Sequence, residues 1–283
     1  MSRVDLHLHS AASDGRFSPM AVVRQAAELG LRVIAITDHD SVDGVVPALA
    51  AAKALPGLKV IPGVEISTDV PQGEVHILGY FIDYNNRELQ ANLEGLRNSR
   101  LKRAQGMIVR LKELGVHIDW ERVQQIAGSG SVGRPHIAQA MLEKGYITSL
   151  KEAFTNYIER GGPAYVEREK MTPAAAVELV LRARGLPVFA HPLTINNVET
   201  MVVELKAAGL VGIEAYYYGY TDDEITKLVR LAEKHGLIAT GGSDYHGLEV
   251  GSGGIMGGVD VPLASAECLI ALAEPRTPEL ASK

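Results

Sequence analysis

Cysteine is almost missing from this chain: Cys268 is the only one in 283 residues. A single thiol excludes an intrachain disulfide framework and a cage of thiolate metal ligands. It lies in the apolar run Cys268-Leu-Ile-Ala-Leu-Ala, which reads as a buried structural thiol and not as a nucleophile. No stretch approaches 18 uninterrupted apolar residues, so no membrane-crossing helix and no membrane partner are expected. A strand that opens at Val4 leaves no room for a signal peptide, and the expected compartment is cytoplasmic. Positive charge is also in short supply. The net charge of −6 argues against broad, nonspecific binding of duplex DNA, although local charge at a metal site can oppose the global sign. There is no repeat of fixed period and no low-complexity tract.

Apolar residues make up 46% of the chain and charged residues 22%, as in ordinary globular proteins, and the length suits one α/β barrel with a modest insertion. Short apolar runs at 4–8, 33–37, 59–61, 74–81, 186–190, 210–215 and 237–241 alternate with helical stretches. Ser18, Pro19 and Gly30 mark the limits of the first helix. This rhythm predicts a mainly parallel sheet wrapped by helices, and the seven runs predict a distorted seven-stranded (β/α) barrel. Between residues 86 and 165 the alternation lapses into helical pieces. We read residues 1–98 and 167–283 as a discontinuous barrel domain and 99–166 as a helical insertion that caps the substrate.

Against this background the histidines stand out. Six of nine fall at or near strand ends, as do three carboxylates. In Asp5-Leu6-His7-Leu8-His9, alternation puts Asp5, His7 and His9 on one strand face and Val4, Leu6 and Leu8 on the other. Asp14 follows in Ser-Asp-Gly, a sequence that alone signals only a turn. His39, in Thr37-Asp38-His39-Asp40, follows an apolar strand, where polar groups are costly unless they face a polar or metal-lined cavity. Glu65 lies in Gly63-Val64-Glu65-Ile66-Ser67, and His76 in Val75-His76-Ile77-Leu78, where by itself it reads as a core histidine. His191 precedes Pro192, and Asp244 and His246 close the series in Gly241-Gly242-Ser243-Asp244-Tyr245-His246. His117 and His235 follow no strand and read as structural. Each site has a bland account alone. Their joint occurrence at successive strand ends points to a multinuclear metal site.

The ordered motifs DLHLHS, SDG, ITDHD, GVEIS, HILGY, HP and GGSDYH resemble those of the PHP (polymerase and histidinol phosphatase) family over nearly the whole chain. The resemblance implies a seven-stranded barrel with two to three divalent ions. One ion would take His7, His9, Glu65 and Asp244; a second would take Glu65, His76 and His191; a third would take Asp14, His39 and His246. Mn²⁺ is the expected ion, with Zn²⁺ and Fe²⁺ also suited to histidine and carboxylate donors. Three such ions against three carboxylates leave a net charge of about +3, a seat for a phosphate dianion. The expected nucleophile is metal-bound hydroxide. Asp40 is the candidate general acid, or a partner that orients a ligating histidine.

In carrying Gly133-Arg134-Pro135-His136 within the insertion, the chain most resembles the short stand-alone family members that act on nucleotides. The expected activity is hydrolysis of the 3′-phosphate of nucleoside 3′,5′-bisphosphates, with trimming of short single-stranded oligonucleotides from the 5′ end. Arg134 and His136 are candidates for the second phosphate, because the guanidinium fork suits it, but Pro135 also suits an ordinary helix start. Lys102 and Arg103 lie in a basic run whose usual explanation is a solvated helix face, although the start of such an insertion could overhang the barrel mouth and make them substrate contacts. Tyr165 is a candidate to stack on a base. Three alternatives compete: a histidinol-phosphate phosphatase, a non-catalytic metal-binding PHP module and an amidohydrolase acting on C–N bonds. The complete ligand set disfavours the second. The absence of a strand-end lysine disfavours the third.

Overall fold

The computed structural model describes residues 3–70, 73–128, 132–167, 171–247 and 254–274. It joins seven strands, in sequence order, into one sheet: β1 (Val4–Leu8), β2 (Val33–Ile36), β3 (Lys59–Val70), β4 (Gly73–Tyr80), β5 (Leu186–Phe189), β6 (Gly212–Tyr217) and β7 (Ile238–Gly242). The sheet curls until its first and last strands meet. The His9 N–H donates to the Tyr245 carbonyl at 2.9 Å, and the Tyr245 N–H to the His7 carbonyl at 3.3 Å. The result is a nearly closed, seven-stranded α/β barrel.

Two features depart from simple alternation. β3 runs on to Val70, past Pro62-Gly63, where the sequence suggests an end. A Cβ at Gly63 would stand 2.9 Å from the Ile36 carbonyl oxygen, so the strand continues there because glycine lets two backbones approach. β4 is antiparallel to both β3 and β5, while the other pairings are parallel. The sheet is therefore mixed.

The helices of this unit are α1 (Pro19–Glu28), α2 (Val45–Ala52), the start of α3 (Arg87–Glu113) and, after the insertion, four more. Ser18 caps α1, its Oγ accepting from the Ala21 N–H at 3.3 Å. Val4 and Leu6 pack in one buried cluster with Val33, Ala35, Ile61 and Leu78. Leu8 packs in another, with Val22, Val23 and Ala26 of α1 and with Ile34 and Ile36. A register shift between Asp5 and Leu8 separates Leu8 from the face it would share with Leu6. Each such side chain, fully buried, contributes roughly 1.5–3 kcal/mol.

Residues 94–170 form a second compact unit, so the division falls at 94 and 170 where the sequence suggests 99 and 166. It contains the rest of α3, α4 (Trp120–Ala127), α5 (Arg134–Glu143) and α6 (Leu150–Ala153), which runs into one turn of π-helix, Phe154–Ile158. Met107, Leu111, Ile137, Met141 and Ile158 belong to its own core.

The last helices of the barrel unit are α7 (Pro173–Arg182), α8 (Val198–Ala207), α9 (Asp222–Lys234) and α10 (Leu263–Ala273). His235 closes α9 and lies 3.1 Å from Glu199. α10 corrects the reading of Cys268. Ser265, Ala266, Leu269 and Ala273 form the buried face, and Cys268, one position before Leu269, is turned to solvent. Among the described residues no helix is long and apolar enough to cross a membrane.

Candidate metal centre

Every strand-end residue singled out above lies in the barrel unit, and eight of the nine side chains meet around Glu65 or Asp244. Glu65, on β3, is almost wholly buried. Its Oε2 lies 3.2 Å from Nε2 of both His7 and His9 and 3.1 Å from Nδ1 of His39. Its Oε1 lies 2.7 Å from Nδ1 of His76 and 3.0 Å from Nε2 of His191. One carboxyl group is thus shared by five imidazoles from four separate chain segments, β1 supplying both His7 and His9. Asp244 Oδ1 lies 3.0 Å from His9 Nε2, 3.4 Å from His7 Nε2 and 3.7 Å from His246 Nδ1. Asp14 completes the arrangement at 3.4 Å from His246 Nε2 and 3.7 Å from His9 Nδ1.

Three groups of donors are close enough to share an ion: His7, His9, Glu65 and Asp244; His9, Asp14, His39 and His246; and His39, Glu65 and His76. The first is the set implied by the family resemblance. The second adds His9 to the implied set. In the third, His39 stands where the resemblance implies His191, although His191 Nε2 also lies 3.2 Å from His76 Nδ1. A further observation favours cations. Both ring nitrogens of His9, His191 Nδ1 and Asp244 Oδ1 are buried without a hydrogen-bond partner. His9 Nε2 lies 3.0 Å from Asp244 Oδ1 and 3.2 Å from Glu65 Oε2, so these three atoms face a common point. Such atoms are costly to bury unless an ion joins them.

The charge balance agrees. Burial raises carboxyl pKa values, yet Glu65 is held well below its usual range because His39, His7 and His76 and the His191 hydrogen bond outweigh burial. Asp244 and Asp14 are lowered in the same way by His7 and His246, and by His246 and His39, respectively. Burial favours a neutral His9, but Asp244 and Glu65 push it up to about 10. The cluster demands positive charge, from protons or from metals.

A further layer holds the ligands in place. The Asp38 carboxyl group accepts from the Ser10 N–H, the Ser10 hydroxyl and the Ser13 hydroxyl, each at 2.7 Å, and so ties down the loop carrying Asp14. Asp5 does the same beyond β7, accepting from the Ser243 N–H at 2.9 Å and its hydroxyl at 2.6 Å. Asp40 is buried, and its Oδ1 accepts the Ser67 N–H at 2.8 Å. That bond pins the turn after β2 to β3, which makes Asp40 a positioning residue for His39 and Glu65. Asp40, His191 and Asp244 have positive φ values of 49°, 27° and 53°. Strain of this kind in non-glycine residues persists where surrounding bonds over-determine it and clusters at functional sites.

Glu214 of β6 was not found by sequence reasoning. It is fully buried, lies 2.9 Å from His7 Nδ1 and accepts the His191 N–H at 2.7 Å. Its signal was available: a carboxyl group inside the apolar strand Gly212-Ile-Glu-Ala-Tyr-Tyr has the same burial cost that marked His39.

The substrate candidates lie in the helical unit. Gly133-Arg134-Pro135-His136 is a helix start: Gly133 is the N-cap of α5, and the Gly133 N–H donates to His136 Nδ1 at 3.0 Å. The Arg134 guanidinium lies 5.7 Å from the centroid of the Phe154 ring. Lys102 is exposed and Arg103 is buried. Tyr165 corrects an expectation. Its ring packs in the core of the helical unit and its hydroxyl donates to Glu167 at 3.2 Å, so it is not an open platform for a base.

The PHP domain family matches residues 5–270. The chain is 33% identical to a 3′,5′-nucleoside bisphosphate phosphatase of Chromobacterium violaceum over 251 residues, 87% of this chain and 88% of that one. It is 34% identical to a 5′-3′ exoribonuclease of Haemophilus influenzae, covering 86% and 90% of the two chains. Among solved structures, a candidate metal-dependent phosphoesterase from Bifidobacterium adolescentis superposes with a TM-score of 0.87 at 27% identity, covering 100% and 99% of the two chains. With barrel, ligand order and near full-length similarity in agreement, this chain belongs to the PHP domain family.

Proposed function

We propose that this metal-dependent phosphoesterase removes the 3′-phosphate of nucleoside 3′,5′-bisphosphates, giving nucleoside 5′-monophosphate and phosphate. The observation that carries a hydrolytic reading is the convergence of five imidazoles on Glu65, beside buried donors that lack hydrogen-bond partners. The nucleotide substrate rests on similarity to the bisphosphate phosphatase. Similarity to the exoribonuclease favours a second activity, the trimming of short 5′-phosphorylated single strands. Both substrates carry a terminal 5′-phosphate and a scissile phosphate at the adjacent 3′-oxygen.

His7, His9, Asp14, His39, Glu65, His76, His191, Asp244 and His246 would hold the ions, with Mn²⁺ as the proposed metal. Divalent ions at this cluster supply Lewis acidity toward phosphoryl oxygens and lower the pKa of water. The chain's own part is to fix the donors. Glu65 presents one carboxyl oxygen to each side of the cluster, Asp38 and Asp5 hold the loops that carry Asp14 and Asp244, and Asp40 ties His39 to β3. In the overall reaction water attacks phosphorus, the P–O3′ bond breaks and the 3′-oxygen takes a proton.

The test is hydrolysis in the presence of Mn²⁺, read as phosphate release from adenosine 3′,5′-bisphosphate, histidinol phosphate and 2′-AMP and as nucleoside 5′-monophosphate formed from a 5′-phosphorylated dinucleotide. The expected order puts the bisphosphate first, with nucleoside 5′-monophosphate also released from the dinucleotide. Preference for histidinol phosphate would overturn the nucleotide reading. No hydrolysis of any of the four by the metal-loaded chain would point instead to a non-catalytic metal-binding module.

A further inference from the structure

β6 supplies none of the nine candidate ligands, yet it touches three of them. Glu214 contacts His7 Nδ1 and the backbone N–H of His191, and the Tyr217 hydroxyl donates to Asp244 Oδ2 at 2.7 Å. In a regular strand, residues three apart face opposite sides of the sheet. Glu214 and Tyr217 reach the same cluster because β6 is irregular: Glu214 pairs with Thr240, but Tyr216 pairs with Gly241, which leaves Ala215 as an extra residue. The neighbouring strand is shaped to allow this. A Cβ at Gly241 would lie 2.3 Å from the Tyr216 carbonyl oxygen, and one at Gly242 would lie 2.4 Å from the His7 Cβ.

We infer that the bulge at Ala215 makes β6 the strand that aims the metal ligands, with Glu214 positioning His7 and His191 and Tyr217 positioning Asp244. The inference rests on the metal-binding reading of the cluster and is independent of the substrate. When His7 ligates an ion, Glu214 as acceptor at 2.9 Å would keep the proton on Nδ1 and leave the Nε2 lone pair facing Glu65 and Asp244. The other oxygen of Glu214 holds the N–H of His191, whose φ of 27° needs such a restraint. Tyr217 occupies Asp244 Oδ2 and leaves Oδ1 toward His7 and His9.

Glutamine at position 214 keeps the shape but has one acceptor oxygen. Its amide N–H₂ must face either the His191 N–H, a clash of donors, or His7 Nδ1, which moves the His7 proton to Nε2 and blocks that ligand. The experiment compares the full-length wild type with Glu214→Gln, Tyr217→Phe and Glu199→Gln, the last a surface control beside His235. Mn²⁺ and Co²⁺ affinities are measured by chelator competition, the Co²⁺ absorption bands report ligand geometry, and ¹⁵N NMR reports the His7 tautomer. Glu214→Gln is expected to weaken at least one ion about 10- to 100-fold and to shift the Co²⁺ bands. Tyr217→Phe should weaken binding less, and Glu199→Gln not at all.

Wild-type affinity and an unchanged Co²⁺ spectrum in both β6 variants would overturn the inference. Failure of the wild type to bind any ion would overturn the metal reading instead. If Glu214→Gln does not fold, Tyr217→Phe, which lacks one hydroxyl, decides alone by the same criteria.

Discussion

Removing metal should make this protein sensitive to alkali. In the metal-free cluster His9 is pushed from an ordinary 6.5 to about 10 by Asp244 and Glu65, against the effect of burial. A group whose folded pKa is raised contributes its full stability below the unfolded pKa and loses it as pH climbs toward the folded one. Between pH 6.5 and about pH 9 the loss is about 1.4 kcal/mol per pH unit, or about 3 kcal/mol from His9 alone. His7, His191 and His246 are also raised and act in the same direction. At a few degrees per kcal/mol for a chain of this size, the midpoint of thermal unfolding should fall by roughly 5–10 °C. Asp14, Glu65 and Asp244 have lowered pKa values, so their contribution exists above the ordinary carboxyl range and is lost as pH falls. Metal-free protein should therefore be most stable between the ordinary carboxyl and histidine pKa values. Bound ions displace the histidine protons, so the loaded protein should lose stability below pH 6.5 and hold it above. The assay is differential scanning calorimetry at a series of pH values with and without chelator. A metal-free midpoint that stays flat or rises from pH 6.5 to pH 9 would refute the reasoning.

Two substitutions probe separate parts of the account. Arg134→Ala should lower kcat/KM for a nucleoside bisphosphate by about 10- to 150-fold, the loss of a charge-assisted contact of roughly 1.5–3 kcal/mol, and should spare a generic phosphomonoester and the metal content; equal loss on both substrates would remove the proposed role in binding the second phosphate. Asp38→Ala leaves three buried donors of Ser10 and Ser13 without their acceptor and should cost roughly 3–5 kcal/mol of stability while loosening the ion nearest Asp14, measured by denaturant titration and by metal analysis.

Much of this site was legible before the structure because metal chemistry places a few residue types where strands end. His7, His9, His39, Glu65, His191, Asp244 and His246 follow or terminate apolar runs, and their common destination follows from a barrel whose strands share one rim. Less legible were features set by pairing rather than composition. The antiparallel β4 requires the β3–β4 hairpin, whose length was hidden by Pro62-Gly63. The alignment of Glu214 with Tyr217 depends on one extra residue in β6, which period-two reasoning cannot place. Cys268 was misread because an apolar run shows that a helix has a buried face and not which residues lie on it. Arg134 and Tyr165 failed to declare themselves for another reason: helix starts and helical cores use the same residue types as phosphate and base recognition.

The most direct test of the account is the metal stoichiometry of the purified chain. Metal-free protein titrated with Mn²⁺ and assayed by elemental analysis should take up two to three ions per chain, release protons as it does so, and gain phosphate-releasing activity in proportion; replacing Asp244 with Asn should reduce both the uptake and the rate. Saturation at one ion or fewer under metal-replete conditions would contradict the shared-carboxylate centre built on Glu65.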